Sequence, residues 1–314
     1  MAKRRSAGKI QPAPLTVSFG LTAPAQSVVH ETLDLSQVCS ILNRRFYRQG
    51  LSWAVSGFKF VSAPGTEGVA YIRKLPSTWM VSNAWEKCFR SWKRQQDEVL
   101  EDGNNESVRA AFNDFKIHMD SEHHAAGFGA NLIPDDVTLL GEWESSQIVI
   151  PNFGAPGVNY EPYFNMVGDD IGGVGGSIGM VKAYANSRSV PQSPDPNVPA
   201  NVLSNENFLN MMFDVGDNNE DVMDNLQKND DLPYDQLDYP GADVQSPDLQ
   251  IHDFSYITTT TVGGSTRLQG GVFPCGLVRI ELHNTSEATM LSSLIVELVP
   301  GPNRGYLTQP MTEM

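Results

Sequence analysis

Segments with the alternation of a β-strand occur along the whole chain, and this spread constrains the fold more than any other feature. In the segment VRIELH, residues 278–283, apolar and polar side chains alternate, as they do in a strand with one buried face. Nine segments are candidate strands: LTVSFGL, VVHETLDL, LSWAVSGFKFV, GVAYIRKL, VTLLGEWESSQIVI, IGMVKAYAN, LQIHDFSYITTTT, GLVRIELHN and LSSLIVELV. Such a distribution, without regular helical crossovers, predicts a mainly β protein built as a two-sheet antiparallel sandwich.

Helices are predicted between some of these strands. In SNAWEKCFRSWKRQQDEVL, residues 82–100, three aromatic side chains beginning with Trp85 fall at i, i+4 and i+7, and Asn83 has the spacing of an N-terminal cap. A shorter helix is predicted to begin at Ser36. The pattern therefore predicts helical insertions within a β framework.

The length of 314 residues suits a single elaborated domain. Residues 1–13 predict a disordered arm that is basic. Residues 14–314 then form the domain, with helical and long-loop insertions around 76–135 and 189–249.

Cysteine use and hydropathy indicate the compartment. Cys39, Cys88 and Cys275 are odd in number and far apart, which argues against a disulfide framework and a structural zinc site. No segment has the ~18 consecutive apolar residues that a membrane span requires. We expect an intracellular folding compartment and no membrane partner.

Charge is distributed unevenly along the chain. Residues 1–94 hold 14 Lys and Arg against four Asp and Glu, a net charge of +10. Residues 95–314 hold 8 bases against 33 acids, a net charge of −25, so the whole chain carries −15. This asymmetry predicts two differently charged surfaces, one of which faces a polyanion.

The stretch RRFYR concentrates cations and aromatic rings within the basic half. Arg44, Arg45 and Arg48 follow the Ser36 helix, where cations complement the helix dipole and their stems cover apolar neighbours. Guanidinium groups beside an aromatic ring also suit phosphate pairing and base stacking on single-stranded nucleic acid. Tyr47 is the candidate for stacking, and Phe46 is assigned to the core. Both interpretations stay open.

Motifs for catalysis and cofactors are missing. The Gly-rich segment GGVGGSIG fits neither a dinucleotide fingerprint nor a phosphate loop, and there is no Gly-x-Ser-x-Gly. Glu122, His123 and His124 stand side by side and are interpreted as a solvated surface. The acidic tract, residues 206–253, is interpreted as a solvated loop, with divalent-ion binding left open. We expect no enzyme activity and no cofactor.

Three segments carry a resemblance to a known family: DLSQVCSILNRRFYRQG, KLPSTWMVSNAWEKCFRSWKRQQ and TTTTVGGSTRLQGGVFPCGLVRIEL. They resemble capsid proteins of circular Rep-encoding single-stranded DNA viruses, especially unclassified environmental ones. The resemblance covers residues 30–94 and 250–299, roughly a third of the chain. It implies a single jelly-roll domain that self-assembles into a small icosahedral shell of about 60 copies and packages single-stranded DNA. The implied location is the virion, assembled in the host nucleus or cytoplasm, with the host receptor open.

The resemblance also implies which residues contact the genome. The candidates for nucleic-acid binding are Lys3, Arg4, Arg5, Lys9, Arg44, Arg45, Tyr47 and Arg48. Such capsid proteins often begin with long arginine-rich runs, whereas this arm has only four cations, so the RRFYR stretch is expected to share the packaging. The alternatives are a nucleic-acid-binding protein that forms no shell, and a jelly-roll carbohydrate-binding or enzymatic domain.

Overall fold

The computed structural model describes residues 12–103, 107, 113–137, 141, 143–151, 157–172, 174–187, 248–260 and 264–311. Its helices and strands are β1 (Thr16–Ala23), β2 (Val28–Asp34), α1 (Leu35–Asn43), β3 (Leu51–Ser62), β4 (Gly68–Lys74), α2 (Trp79–Asp102), α3 (Ser121–Ala126), β5 (Ile150–Pro151), β6 (Asn159–Tyr160), β7 (Tyr163–Asn165), β8 (Ser177–Gly179), α4 (Met180–Ser187), β9 (Gln250–Ile257), β10 (Ser265–Phe273), β11 (Leu277–Asn284), β12 (Met290–Leu298), β13 (Pro300–Gly301), β14 (Gly305–Tyr306) and β15 (Thr308–Pro310).

Eight of these strands form two antiparallel sheets. One sheet has the order β1-β12-β3-β10, with β15 added beside β3, and the other has the order β2-β11-β4-β9. When only these eight strands are numbered along the chain, from one to eight, the first sheet has the order 1-8-3-6 and the second has the order 2-7-4-5. This is the strand order of a jelly roll. The predicted mainly β, two-sheet sandwich is confirmed.

The sandwich is held together by the apolar faces of its strands. Alternate residues of β1, including Phe19, and of β11, including Ile280, point inward and are fully buried. Phe58 and Phe60 of β3 and Leu294 of β12 fill the space between them. Burial of such side chains contributes about 1.5–3 kcal/mol each, so this core is the main source of stability.

One connection is far longer than the others. Residues 75–249 lie between β4 and β9, which are hydrogen-bonded neighbours in one sheet, and this connection contains both expected insertions. Its described part packs α2 against α4 and the segment 115–119 around a second apolar cluster. Met80, Trp85 and Phe164 are among the buried members. The insertion thus packs around a second core, which it shares with Cys275, Leu277 and Met311.

Helix α2 confirms the predicted aromatic helix, but its start differs. Thr78 is the N-cap, and its hydroxyl oxygen accepts the backbone N–H of Val81. The predicted cap, Asn83, therefore lies in the first turns of the helix. Likewise α1 is capped by Asp34 and not by Ser36, because the Asp34 carboxylate accepts the N–H groups of Ser36 and Gln37.

Three strand assignments from the sequence were wrong. Among the described residues of VTLLGEWESSQIVI, only Ile150 lies in a strand, the two-residue β5. IGMVKAYAN forms a strand only at its first two residues and continues as α4, because Met180, Val181 and Ala185 bury one helical face. Conversely, β10 was not counted as a strand, since Gly270 and Gly271 interrupt its alternation. Gly270 is required there, because an added Cβ would lie 2.2 Å from the carbonyl oxygen of Val55.

The ends of the sandwich differ in their connections. At one end, the strands are joined by residues 24–27, 63–67, 258–264 and 285–289. The opposite end carries α1 with its following loop, the long insertion, the start of β1 and the C-terminal strands, as the strand pairings require. Arg44, Arg45, Tyr47 and Arg48, the described candidates for nucleic-acid contact, therefore lie at the second end.

All three cysteines are free, and Cys39 and Cys275 are buried. In the part of the chain that the structure describes, no helix is both long and apolar enough to cross a lipid bilayer.

Candidate nucleic-acid interface

The arginine loop, residues 44–50, connects α1 to β3. Arg44 closes α1 in the left-handed conformation, with φ of 54°, and its backbone N–H donates to the carbonyl oxygen of Ser40. The Ser40 hydroxyl in turn accepts the backbone N–H of Tyr47 at 2.9 Å. These bonds fold the loop back on the helix.

The far side of the arginine loop is fixed by Gln49, which is buried. Its side-chain amide donates to Asp34 Oδ2 at 3.1 Å and to the carbonyl oxygen of Ile117 at 3.0 Å. Its Oε1 accepts the backbone N–H of Ile117 at 2.6 Å. A loop anchored at both sides presents its remaining side chains in a defined arrangement.

Arg44, Arg45 and Arg48 are exposed on this loop. Within the described residues, none of the three lies within ion-pair distance of a carboxylate. Their charges are therefore not neutralised by a described neighbour, as phosphate binding requires. Arg48 also borders an apolar cavity of about 180 Å³ beside Trp85, so the alkyl part of its side chain covers apolar neighbours. The interpretation as packing groups and the interpretation as phosphate contacts therefore both have support.

Tyr47 does not fit the predicted role in base stacking. Its ring is 2% exposed and packs with the rings of Trp53 and Tyr306, at centroid distances of 5.8 Å and 5.6 Å. Its hydroxyl donates to the carbonyl oxygen of Arg304 at 3.1 Å, and burial raises its pKa. Tyr47 is thus a core anchor of the loop, and the prediction for this residue was wrong.

Phe46, which was assigned to the core, lies nearer the surface. It is half-buried, and its ring centroid lies 6.2 Å from that of Trp143. The ammonium group of Lys116 lies 5.9 Å from the Phe46 ring and 4.4 Å from the Trp143 ring, in cation–π geometry with the latter. Alternation in the loop sends Tyr47 inward and Phe46 outward, the reverse of the expectation.

Arg304 belongs to the same surface although it lies 258 residues from Phe46 in sequence. It stands in the turn between β13 and β14, is exposed, and donates from Nη1 to the carbonyl oxygen of Phe46 at 2.8 Å. Its guanidinium lies 6.0 Å from the Tyr47 ring. The segment GPNRG predicts a turn, but nothing in the sequence indicates where this turn packs.

The basic arm enters the described structure beside this surface. The Tyr306 hydroxyl donates to the carbonyl oxygen of Pro14 at 2.9 Å, and Ala13 contacts Gly305. The Tyr306 oxygen also accepts the side-chain amide of Asn43, the last residue of α1, at 2.8 Å. Lys3, Arg4, Arg5 and Lys9 themselves lie outside the described residues, as does most of the acidic tract, so their positions stay predictions.

A second charged surface covers the outer face of the sheet containing β11. Arg279 is 2% exposed and donates to Asp120, at 2.5 Å, and to Glu122. Arg73 and His283 both pair with Glu281. Arg73 and Arg279 line a cavity of about 560 Å³ together with four acids, Asp120, Glu122, Asp248 and Glu281. The described lining is therefore net negative and does not compete with the arginine loop for a polyanion.

These pairs correct the interpretation of Glu122, His123 and His124 as a solvated surface. His123 is 1% exposed, accepts the backbone N–H of Met119 at Nδ1, and bonds through Nε2 to Asn131. Burial lowers its pKa to about 3, so the ring is neutral at pH 7. Among the described residues, no group of three or more His, Cys, Asp or Glu side chains could hold a metal ion.

An aromatic cavity of about 520 Å³ has Trp143 in its wall. Its walls include Trp143, Phe128, Tyr163, His118 and His124. The rings of His118 and Phe128 are stacked with centroids 4.5 Å apart, and His124 lies 5.4 Å from Tyr163. Trp143 therefore contacts both the Lys116 ammonium near Phe46 and a cleft lined by aromatic rings.

The fold and this surface define a jelly-roll domain whose exposed arginine loop lies near Pro14, close to the start of the described chain. Comparisons with protein-family models, with curated proteins and with solved structures give no match for this chain.

Proposed function

We propose that this chain is the coat protein of a single-stranded DNA virus, which self-assembles into a small icosahedral shell and packages the genome. The observation that carries the proposal is the junction of Pro14, Tyr306 and Asn43, at which a basic arm begins beside the exposed arginine loop of a jelly roll. Jelly rolls with this strand order are common in viral shells. No catalytic role is part of the proposal.

Electrostatics supports contact with a polyanion at this junction. The three cations of the arginine loop and Arg304 share one region of the subunit, and the chain joins the domain at Pro14 in the same region. The four cations of the arm precede Pro14 in sequence. At about 0.7 per phosphate contact on single strands, four to eight contacts lower log K by about 3 to 6 for each tenfold rise in salt. Phe46 and Trp143 add aromatic surface on which bases stack.

Exposed apolar side chains support assembly. On the edge strand β9, Ile251, Phe254 and Tyr256 are 53%, 49% and 66% exposed, and Phe254 stacks on Tyr71 of β4. Contiguous apolar surface at a sheet edge marks an interaction site. A contact of about 1,600 Å² between two copies is a standard specific interface, and closed symmetry repeats it around a shell of about 60 copies.

The test is electron microscopy of the purified protein with nuclease treatment. We expect particles of uniform diameter that contain nuclease-protected single-stranded DNA. The triple change Arg44→Gln, Arg45→Gln and Arg48→Gln is expected to leave particles intact and to reduce the protected DNA. Protein that stays monomeric under all assembly conditions would overturn the proposal.

The matched control removes the same charge from α2. Arg90, Lys93 and Arg94 are exposed or half-exposed, and each forms an i,i+4 ion pair with an acid of the same helix. Changing all three to Gln costs about 0.3–0.5 kcal/mol for each pair lost. Packaged DNA is expected to stay at the wild-type level in this variant. Equal losses in both variants would show that total charge, and not the arginine loop, governs packaging.

The aromatic cavity favours a second candidate, carbohydrate binding, because lectin domains also use the jelly-roll fold. A third protein class, a single-stranded-DNA-binding protein without a shell, would use the same arginine loop. Particle formation separates the coat protein from both alternatives.

A further inference from the structure

The aromatic cavity is open to solvent, and its Trp143 wall lies beside Phe46 of the arginine loop. No role follows for it from shell assembly alone. It combines three aromatic rings, Phe128, Trp143 and Tyr163, with polar groups at Glu144 and Gln147. Its volume of about 520 Å³ lies within the range of about 300–1,000 Å³ of small-molecule sites. The cavity is thus large enough for a planar ring and its substituents.

Trp143 connects the cavity to the cations. Its ring forms one wall, while its other neighbours are Phe46 of the arginine loop at 6.2 Å and the Lys116 ammonium at 4.4 Å. Its indole N–H donates to the buried carboxylate of Asp34 at 3.0 Å, which holds the ring in place. A strand of nucleic acid lying along the arginine loop would therefore pass a preorganised aromatic wall.

The charges in and around the cavity indicate which part of a nucleotide enters. Glu144 is exposed at the cavity and carries a negative charge, which repels a phosphate. The guanidinium groups of Arg44 and Arg45 lie outside it and attract phosphates. This division suits a base inside the cavity with its backbone outside. A neutral sugar would need the rings and polar groups but not the neighbouring cations.

The polar groups also indicate the kind of base. A carboxylate accepts hydrogen bonds from the exocyclic amino group of cytosine, and a glutamine side chain pairs with adenine. Thymine has no exocyclic amino group to donate to Glu144. His118, another wall of the cavity, is 3% exposed, and its Nδ1 has no hydrogen-bond partner among the residues that the structure describes.

We propose that the aromatic cavity binds an unstacked base of single-stranded DNA that carries an exocyclic amino group, while the adjoining phosphates lie on Arg44 and Arg45. The base stacks on Tyr163 or Trp143, and Glu144 accepts its amino group. The inference rests on the proposed function, because it requires DNA at the arginine loop. It makes DNA binding partly dependent on base composition.

Fluorescence anisotropy of labelled homopolymers of about 20 nucleotides tests this with the full-length protein. We expect oligodeoxycytidine to bind about 5- to 10-fold more tightly than oligothymidine. Tyr163→Leu is expected to weaken the binding of oligodeoxycytidine by about 5-fold or more, since stacking contributes about 1–3 kcal/mol per base. Tyr163→Phe keeps the ring and should bind as the wild type does.

Glu144→Ala is a second variant, at an exposed position where loss of folding is not expected. Removing its charge should raise the affinity for oligothymidine and bring the ratio of the two affinities toward one. Equal wild-type affinity for both homopolymers, or unchanged binding by Tyr163→Leu, would overturn the cavity as a base site.

Two further results distinguish failure of the base-site proposal from failure of the coat-protein proposal. If base preference is absent but the triple Arg→Gln change still weakens DNA binding, the cavity proposal fails and the coat-protein proposal stands. If a neutral oligosaccharide binds and Tyr163→Leu abolishes that binding while DNA binding is unchanged, the cavity is a carbohydrate site and the base proposal is overturned.

Discussion

Trp143 donates its indole N–H to Asp34 Oδ2 at 3.0 Å, which links a wall of the aromatic cavity to the cap of α1. The same carboxylate accepts the backbone N–H groups of Ser36 and Gln37 and the side-chain amide of Gln49. Asp34 is fully buried, and burial raises its pKa to about 6 despite these four donors. One buried acid therefore positions both the arginine loop and the cavity.

Asp34→Ala is expected to lower the free energy of unfolding by about 3 kcal/mol or more at pH 7. The change removes a helix cap, worth about 1 kcal/mol, and leaves further buried donors unpaired at about 1–3 kcal/mol each. Urea denaturation followed by circular dichroism measures the difference. Asp135→Ala is the control, because Asp135 is exposed and accepts a single bond from the backbone of Gly20. A loss as small as that of the control would contradict the central role of Asp34.

Tyr306 and Tyr47 pack against each other near Pro14, and the same substitution to Phe can be compared at the two positions. Tyr306 both donates to Pro14 and accepts from Asn43, whereas Tyr47 makes one bond, to Arg304. Tyr306→Phe should therefore destabilise the fold by about 1–2 kcal/mol, more than Tyr47→Phe does. Both rings stay in the core, so thermal or urea unfolding reports the hydroxyl groups alone.

Fluorescence quenching on DNA binding checks the corrected role of Tyr47. A buried anchor predicts that Tyr47→Phe binds oligonucleotides as the wild type does. A stacking ring would tolerate the change to Phe too, so affinity alone does not decide between the two roles. The deciding measurement is the quenching of tyrosine and tryptophan fluorescence when the Tyr47→Phe and Trp143→Phe variants bind DNA. Only Trp143→Phe is expected to reduce it. A reduction confined to Tyr47→Phe would restore the original prediction.

The sequence predicted the framework because strand alternation and helical spacing are local. The alternation of Val278, Ile280 and Leu282 gave β11, and the aromatic spacing from Trp85 gave α2. IGMVKAYAN misled because its apolar residues fit a strand as well as a helix, and packing against α2 decides between them. Local patterns carry no information on such partners.

The candidate site was only partly predictable for the same reason. Arg44, Arg45 and Arg48 are adjacent in sequence and were found, but Arg304 reaches them through a contact across 258 residues. Tyr47 and Phe46 are neighbours of similar character, and only the positions of Trp53 and Tyr306 decide which ring is buried. The aromatic cavity draws its walls from three separate segments of the insertion, so no single stretch indicates it.

Arg279→Leu is expected to lower the free energy of unfolding by about 3–5 kcal/mol. The guanidinium is buried between Asp120 and Glu122, and its removal leaves the largely buried carboxylate of Asp120 unpaired. Urea denaturation at low and high salt gives the measurement. The control is Arg94→Gln, which breaks an exposed pair with Glu98 and should cost less than about 1 kcal/mol. Similar costs for the two variants would mean that the network contributes little to holding α3 on the sheet.

Acid should destabilise the fold through the buried histidines. Burial lowers the pKa of His118 and of His123 to about 3, below the value of about 6.5 in the unfolded chain. As the pH falls below about 6.5, the unfolded chain takes up protons that the folded protein does not, so stability is lost down to about pH 3. Each ring is expected to contribute a loss of about 1 to 2 kcal/mol between pH 7 and pH 5.

His118→Phe isolates this effect, because the ring stays stacked on Phe128 and no described side-chain hydrogen bond is lost. Asp34 titrates with the opposite sign, since its raised pKa stabilises the fold on protonation, so the variant is compared with the wild type at each pH. We expect the variant to lose less stability between pH 7 and pH 5. A parallel loss in both proteins would show that His118 does not sense acid.

The salt dependence of DNA binding gives the most direct measure of the arginine loop. If Arg44, Arg45 and Arg48 each contact one phosphate, changing all three to Gln should reduce the slope of log K against log salt by about 2, at about 0.7 per contact. The control with Arg90, Lys93 and Arg94 changed to Gln should keep the wild-type slope, because its cations are already paired with acids of α2. Titrations of labelled oligothymidine at several salt concentrations supply the slopes. Equal reductions in the two variants would indicate a diffuse charge effect, and an unchanged slope in the first would leave the three arginines as caps and packing groups of α1.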